Sequence, residues 1–567
     1  MAPKPKRSAL PRQPKQAPPK RPVWKTVALA AAFLGLAALA SPVSQANLSP
    51  VYGSIPSSIF HQRGITIVAL LAFMASKSSL RKFIPKNVRQ YVPVQAYYVP
   101  MIQWALFKFS SQLGPEYGPL LTELLTFYPT LFLACLATSV TLEDLDLSAY
   151  SHTISEGVPP AVSYFAFSFA QKLFSATLPS FVGSNDFLTR SGLQLLVASS
   201  YAALSSTPYL LISIPAMVHT MFANPHYQSS FATKVLNQTL AAQNFILLER
   251  RDSNTGYISV LESHVSQYRV LRCDHSLLGG EWLVTPERKA RGGQTGRETI
   301  YSVFTMLESV RLVEGASLKP DSEKNALFIG LGIGTSPTAF IKHGINTTIV
   351  ELDPVVHEFA MKYFELPSNH TYAIEDAIGF VSTESVDHPQ SYDYIIHDVF
   401  TGGAEPTALF TIEFLEGLEK MLKDDGVIAI NYAGDMTLPP PQIILHTIKY
   451  VFPTCRVFRD TPESDTDPNA LFVNLVVFCT KSPNVPLTFR KAVSADHLGS
   501  LSRREFIPPD PALEVIMPEV RDEKMRTKDY VLRSGNEGII EKYHRQAAVR
   551  HWGIMRTVLP DAIWENW

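Results

Sequence analysis

Residues 326–337 read ALFIGLGIGTSP, and TTIVELDP follows at 347–354. An apolar strand, a glycine-rich turn, a helix and a second strand tipped by an acid leave few folds open, because parallel strands need a crossover between them. Gly330, Gly332 and Gly334 let the backbone turn sharply and let a ligand lie where a Cβ would clash. Glu351 follows Gly330 at about the 20-residue spacing at which a carboxylate accepts hydrogen bonds from both ribose hydroxyls. The pattern lacks the Gly-x-Gly-x-x-Gly spacing of dinucleotide folds and has no Gly-Lys-Ser/Thr for a triphosphate. It fits a turn that cradles S-adenosylmethionine or a relative.

From residue 326 onward strands and helices alternate, which predicts a mostly parallel, doubly wound α/β sheet. Strands are expected at ALFIG, TTIVEL, TYAIED (371–376), YDYIIHDVF (392–400) and GVIAINYAG (426–434), with CRVFRD (455–460) and ALFVNLVVFCTK (470–481) closing the sheet as a hairpin. Seven strands in that arrangement are expected to form a class I methyltransferase-like domain over 297–485. Ahead of it, alternating residues over 240–290 predict a small antiparallel β-domain, and 297–311 reads as an amphipathic helix. Residues 486–567 form a proline- and charge-rich extension, with a helical patch near 537–555 and no legible chemistry.

Ligands of open α/β sheets bind beyond the carboxyl ends of the strands. Glu351, Asp376 and Asp398 end three consecutive strands, so three acids reach one rim. Glu351 is expected to hold the ribose, and Asp376 with Ala377 to meet the adenine edge. Asp398 would face the reacting centre, where a carboxylate can take a proton from an attacking amine.

The other half of the chain is of a different kind. Residues 1–25 are basic, proline-rich and free of acids, which predicts a disordered tail. Residues 26–222 carry apolar runs at Thr26–Ala40, Ile65–Ser76, Val94–Phe109, Leu120–Val140, Val162–Leu178 and Leu193–Met221. Such runs predict a multi-pass α-helical membrane region of about six helices. Lys77, Arg81, Lys82, Lys86 and Arg89 make the second connection basic, like the N-terminus. The positive-inside rule puts both in the cytosol, and an even count of crossings returns the C-terminal half there. Asn237, Asn346 and Asn369 begin glycosylation sequons that would be used only on the other side. The runs show no paired charges of the kind that mark a substrate path. Cys135, Cys273, Cys455 and Cys479 are scattered without Cys-x-x-Cys, which argues against zinc or a disulfide framework and suits a reducing compartment. A net charge of −1 gives no argument for nucleic acid.

Over residues 245–481 the sequence resembles the spermidine/spermine synthase family. Glu298-Thr299-Ile300-Tyr301 is similar to its Asp-Glu-x-x-Tyr segment, IGLGIG to its Ile-Gly-Gly-Gly-Asp-Gly turn and VELDP to its Glu-Ile-Asp strand end. Glu375-Asp376-Ala377 matches its Gly-Asp-Gly position, YDYIIHD its Tyr-Asp-Val-Ile-x-x-Asp strand, and AEPTALFTIEF its Pro-Ala-x-x-Leu-Phe segment. The resemblance implies aminopropyl transfer from decarboxylated S-adenosylmethionine to a polyamine, with Asp398 as base, Tyr301 as a polyamine contact and a homodimer. Ile333 and Thr401 stand where the family has acids that hold cationic groups. Ile333 is expected to leave apolar surface where an ammonium would dock. The sequence therefore reads as a membrane-anchored, metal-free, spermidine/spermine synthase-like transferase acting on a small amine or another acceptor. The alternatives are an S-adenosylmethionine-dependent methyltransferase of unknown acceptor and a non-catalytic nucleoside-binding membrane protein.

Overall fold

The computed structural model describes residues 22–145, 150–292, 296–317, 319–400, 402–462, 472–483, 486–516 and 530–567. Thr401 and residues 1–21 of the basic tail lie outside these.

Among the described residues, three stretches are long and apolar enough to cross a bilayer: Val23–Tyr52, Ser54–Lys77 and Ser110–Leu142. The run at Val94–Phe109 folds into a helix of 16 residues, and Leu193–Met221 is split between Arg190–Ser205 and Ile214–Phe222. Phe33, Ala37, Ala69, Leu131, Ala134 and Tyr201 fill the bundle core, while Ile67, Leu70, Leu71, Met74, Phe165 and Phe169 point outward. Small residues in the core let the helix backbones approach closely.

The bundle has two unlike ends. At one end Arg81 pairs with Glu143, and Lys77 with Glu156. At the other, the carbonyls of Pro50 and Val51 accept from Arg272 and Trp552 of the C-terminal half. About 38 Å of helix, at 1.5 Å per residue, separates Lys25 from Pro50. Arg190 completes the junction, buried and paired with Asp252 at 2.9 Å.

Five antiparallel strands follow: β1 (Phe245–Asp252), β2 (Tyr257–Ser263), β3 (Tyr268–Cys273), β4 (Ser276–Trp282) and β5 (Glu298–Thr299). The single helix expected over 297–311 is broken. Its first residues join the small sheet as β5, opposite Glu281 and Trp282, and only Ser302–Met306 is α-helical.

The main sheet contains β6 (Asn325–Ile329), β7 (Asn346–Glu351), β8 (Thr371–Ile374), β9 (Tyr392–His397), β10 (Leu422–Asp435), β11 (Thr454–Arg459) and β12 (Phe472–Thr480), in the order β11-β12-β10-β9-β6-β7-β8. The first five of these strands are parallel, and β12 is antiparallel to β10. This is the expected mostly parallel, doubly wound sheet. Leu327, Ile329, Ile395 and Ile428 face one covering layer, and Ala326, Phe328, Ile396 and Ala429 the other. After β6 the chain runs outward through β7 and β8, then returns to β9 on the other side. The ends of β6 and β9 therefore form the switch point at which such sheets bind ligands.

One expectation fails here. Cys455 and Cys479 lie directly opposite on β11 and β12 and are joined by a disulfide. Their partnership depends on hairpin register, which leaves no local spacing signal. The C-terminal extension is an integral strap. Its helix His544–Val558 packs Ala548 against Gly403, where a Cβ would come within 2.9 Å and φ is +112°. Trp564 and Tyr257 cover the buried Arg272 guanidinium, which donates to the carbonyls of Pro50, Asp274 and Ile563.

Candidate active site

The glycine turn joins β6 to helix Thr335–Lys342, and Gly330, Gly332 and Gly334 all have positive φ. Their missing side chains serve packing as well as a ligand. A Cβ on Gly330 would lie 2.2 Å from the Asp398 carbonyl, and one on Gly332 would lie 2.5 Å from the Leu278 carbonyl. The first brings the ends of β6 and β9 together; the second lets β4 cover the turn.

Glu351 clamps this turn from the end of β7. Its Oε2 accepts from Leu331 N at 3.0 Å and its Oε1 from Asp353 N at 2.9 Å. Burial pushes its carboxyl up to about 7, opposed by these backbone N–H donors. The neighbouring Asp353 has a structural role. It caps helix Pro354–Tyr363 and accepts from Ser253 and Thr255, which locks the β1–β2 turn onto β7.

Asp376 is exposed and caps helix Ala377–Asp387 through Ile378 N at 3.0 Å. The Glu375 N–H donates to the Glu351 carbonyl, which sets Asp376 and Ala377 near Glu351. Leu352 and Ile378, 49% and 42% exposed, offer apolar surface next to the two acids, of the kind a purine ring covers. Sequence reasoning missed both; their signal is an apolar residue one or two places beyond each acid.

Asp398 sits at the end of β9, its N–H bonded to the Ile329 carbonyl. Asn431, in register with it on β10, donates to Asp398 Oδ1 at 2.8 Å, while Asn431 Oδ1 is buried without a partner. Burial pushes the Asp398 carboxyl up to about 6, and the Asn431 bond draws it down. Asn431 was also missed, since nothing in GVIAINYAG distinguishes a rim amide from a strand residue. Tyr301 is half-buried, with its ring edge-on to Phe304, whose carbonyl accepts from Ser336 in the helix after the glycine turn. Burial pushes its hydroxyl up to about 12 and keeps it a donor.

Ile333 departs from expectation. It leaves no open apolar surface: it is 4% exposed and packs with Ile258, Val260, Leu271, Val355 and Phe359. The turn lies beneath the small sheet, with Gly279 against Ile333, so this position is a core seam between domains.

A strand-end acid clamping a glycine turn, with a second carboxylate at the switch point, defines a transferase of the class I methyltransferase-like fold. A model of the spermine/spermidine synthase domain matches residues 307–459. An N-terminal histidine N-methyltransferase of Emericella nidulans is 45% identical over 96% of this chain and 98% of that protein. A polyamine aminopropyltransferase of Vibrio vulnificus is 32% identical, over 22% of this chain and 42% of its own length. A probable spermidine synthase structure from Corynebacterium glutamicum covers 50% of this chain and 93% of that one at 17% identity, with a TM-score of 0.36. The chain belongs to the spermidine/spermine synthase family and is a transferase. The aminopropyl reading, with its decarboxylated cofactor and its place in polyamine synthesis, is overturned: the relative that matches end to end is an N-methyltransferase.

Proposed function

We propose that this protein is a membrane-anchored methyltransferase that moves the methyl group of S-adenosylmethionine to a histidine at the amino terminus of a polypeptide. The observation that carries this reading is the identity of 45% over 96% of the chain, which extends through the helical half and the C-terminal strap.

In this reading Glu351 holds the ribose, Leu352 and Ile378 flank the adenine, and Asp376 with Ala377 meets its edge. S-adenosylmethionine supplies a methyl group on a sulfonium. One imidazole nitrogen takes it in line: a C–N bond forms, the C–S bond breaks and its electron pair stays on sulfur. The other imidazole nitrogen gives its proton to Asp398. Asn431 occupies Asp398 Oδ1 and so leaves Oδ2 to receive that proton. Tyr301 serves as an acceptor-side donor.

The catalytic half is assigned to the non-cytosolic side, against the cytosolic placement expected from six crossings. The catalytic half docks at the end of the bundle away from Lys77 and Arg81, the basic end that the positive-inside rule puts in the cytosol. The Cys455–Cys479 disulfide suits an oxidising compartment. Translation begins at methionine, so a histidine terminus arises by proteolysis, as when secretory leaders are removed. Exposed Asn369 is open to glycan, whereas Asn346 donates its side-chain N–H to Asn325 and Asn237 is occupied by both backbone groups of Leu247.

The test is full-length protein in detergent with methyl-labelled S-adenosylmethionine and matched peptides. Label is expected on a peptide that begins with histidine and not on one that begins with alanine. Label on neither, or equal label on both, would overturn the acceptor assignment.

A further inference from the structure

The helical half buries an ionisable pair. His61 and Glu123 are 6% and 1% exposed, with His61 Nδ1 2.7 Å from Glu123 Oε1. Ser44 Oγ and Gln45 Nε2 donate to the same oxygen, each at 3.1 Å, and the Tyr128 hydroxyl nearby donates to the Phe60 carbonyl at 3.4 Å. On the other side, His61 Nε2 lies 2.8 Å from Ser41 Oγ, which accepts from Gln171 Nε2 at 3.1 Å. The two residues come from different helices, 62 positions apart, and His61 lies just outside the apolar run that begins at Ile65.

Both helices carrying the pair are interrupted beside it. His61 opens helix His61–Lys77, and Glu123 stands just before the break at Thr126. Irregular backbone within an apolar bundle persists where it lines a cavity or is covered by protein. A cavity of about 30 Å³, walled mostly by apolar atoms, lies on the far side of Ser44 and Phe127.

We propose that the His61–Glu123 pair is a proton-exchange site whose ligand is a proton. A buried ion pair among apolar helices is costly and marks function. This one keeps its hydrogen bonds in both protonation states. With the ring neutral, Nδ1–H donates to Glu123 and the Ser41 hydroxyl donates to Nε2. With the ring charged, Nε2–H donates to Ser41 Oγ, which turns its own hydrogen away. Uptake adds one proton to the pair, makes one N–H bond and changes no other covalent bond. The groups that face the pair are Ser41, Ser44 and Gln45 on helix Val23–Tyr52, Phe127 and Tyr128 on helix Phe127–Leu142, and Gln171 on helix His152–Thr177. Tyr128 is the other titratable group among them, and none is cationic. A locked structural ion pair in the same place would stay charged across the physiological range.

Infrared difference spectra of the full-length protein in nanodiscs, taken between about pH 5 and pH 8 around the histidine range, test this. The wild type should show an imidazole–carboxylate transition, and Glu123→Gln should lose it. Ser41→Ala removes only a hydroxyl and should still fold. It should lower the midpoint by about one pH unit, a tenfold loss of proton affinity, because the charged ring loses the stronger of the two bonds. A wild type without a transition, or a midpoint unmoved in Ser41→Ala, would overturn the proposal.

Discussion

The α/β domain and the helical bundle both bury carboxylates, and they hold them differently. At the sheet rim Glu351 is gripped by backbone N–H groups and Asp398 by a single amide. In the bundle Glu123 is enclosed by side chains from several helices. Strand order alone delivers an acid to the rim, because every parallel strand ends on the same edge. No such rule places a glutamate against a histidine across a bundle, where the meeting depends on helix rotation and depth. Strand direction thus sets the rim, and helix packing sets the bundle cluster.

The sharpest break in that comparison is Asp398→Asn. Loss of the base should lower kcat by about 10²- to 10⁴-fold. Calorimetry should find S-adenosylmethionine binding unchanged; weakened binding would instead make Asp398 a cofactor residue. Next in size is Ile333→Asp, which restores the family's acid within the seam between the small sheet and the turn. An unpaired charge there should cost about 3–5 kcal/mol in thermal unfolding and confer no aminopropyl transfer. A folded, stable variant that gains activity with decarboxylated cofactor would show that position 333 faces the ligand.

Glu351→Gln should weaken cofactor binding by about 1.5–3 kcal/mol, the worth of hydrogen bonds to a charged group. Its pH dependence has a definite sign. The carboxyl is pushed up to about 7, and the ionised form is the better acceptor. Wild-type affinity should therefore rise as pH increases through about 7, and the variant should be flat. The same raised carboxyl makes the ligand-free protein less stable as pH rises from the ordinary carboxylate range through that point. Asn431→Ala is the smallest change. Without its donor the Asp398 carboxyl moves further up from about 6, so the rising limb of kcat/KM should shift to higher pH by less than one unit.

Much of the rim was legible from local order. Glycines after an apolar strand, and acids at the tips of the next three strands, identify Gly330, Glu351, Asp376 and Asp398 because strand direction carries the information. Asn431, Leu352 and Ile378 were not legible, since their roles come from register and exposure rather than from residue type. Ile333 was read as a lost ligand contact because the small sheet's position over the turn has no local signature. The Cys455–Cys479 bond and the C-terminal strap escaped for the same reason: each is a pairing of distant segments.

Sequence by itself determined the class of fold, the division into an apolar and an α/β half, and the strand-end acids, because periodicity and strand tips are set within a few residues. Tertiary structure decided which of those groups face a ligand and which are packing. It also decided which end of the bundle carries the catalytic half, and that a histidine meets a glutamate inside it. Those are distances between segments far apart in the chain, and the close packing of side chains, rather than their spacing along it, sets them.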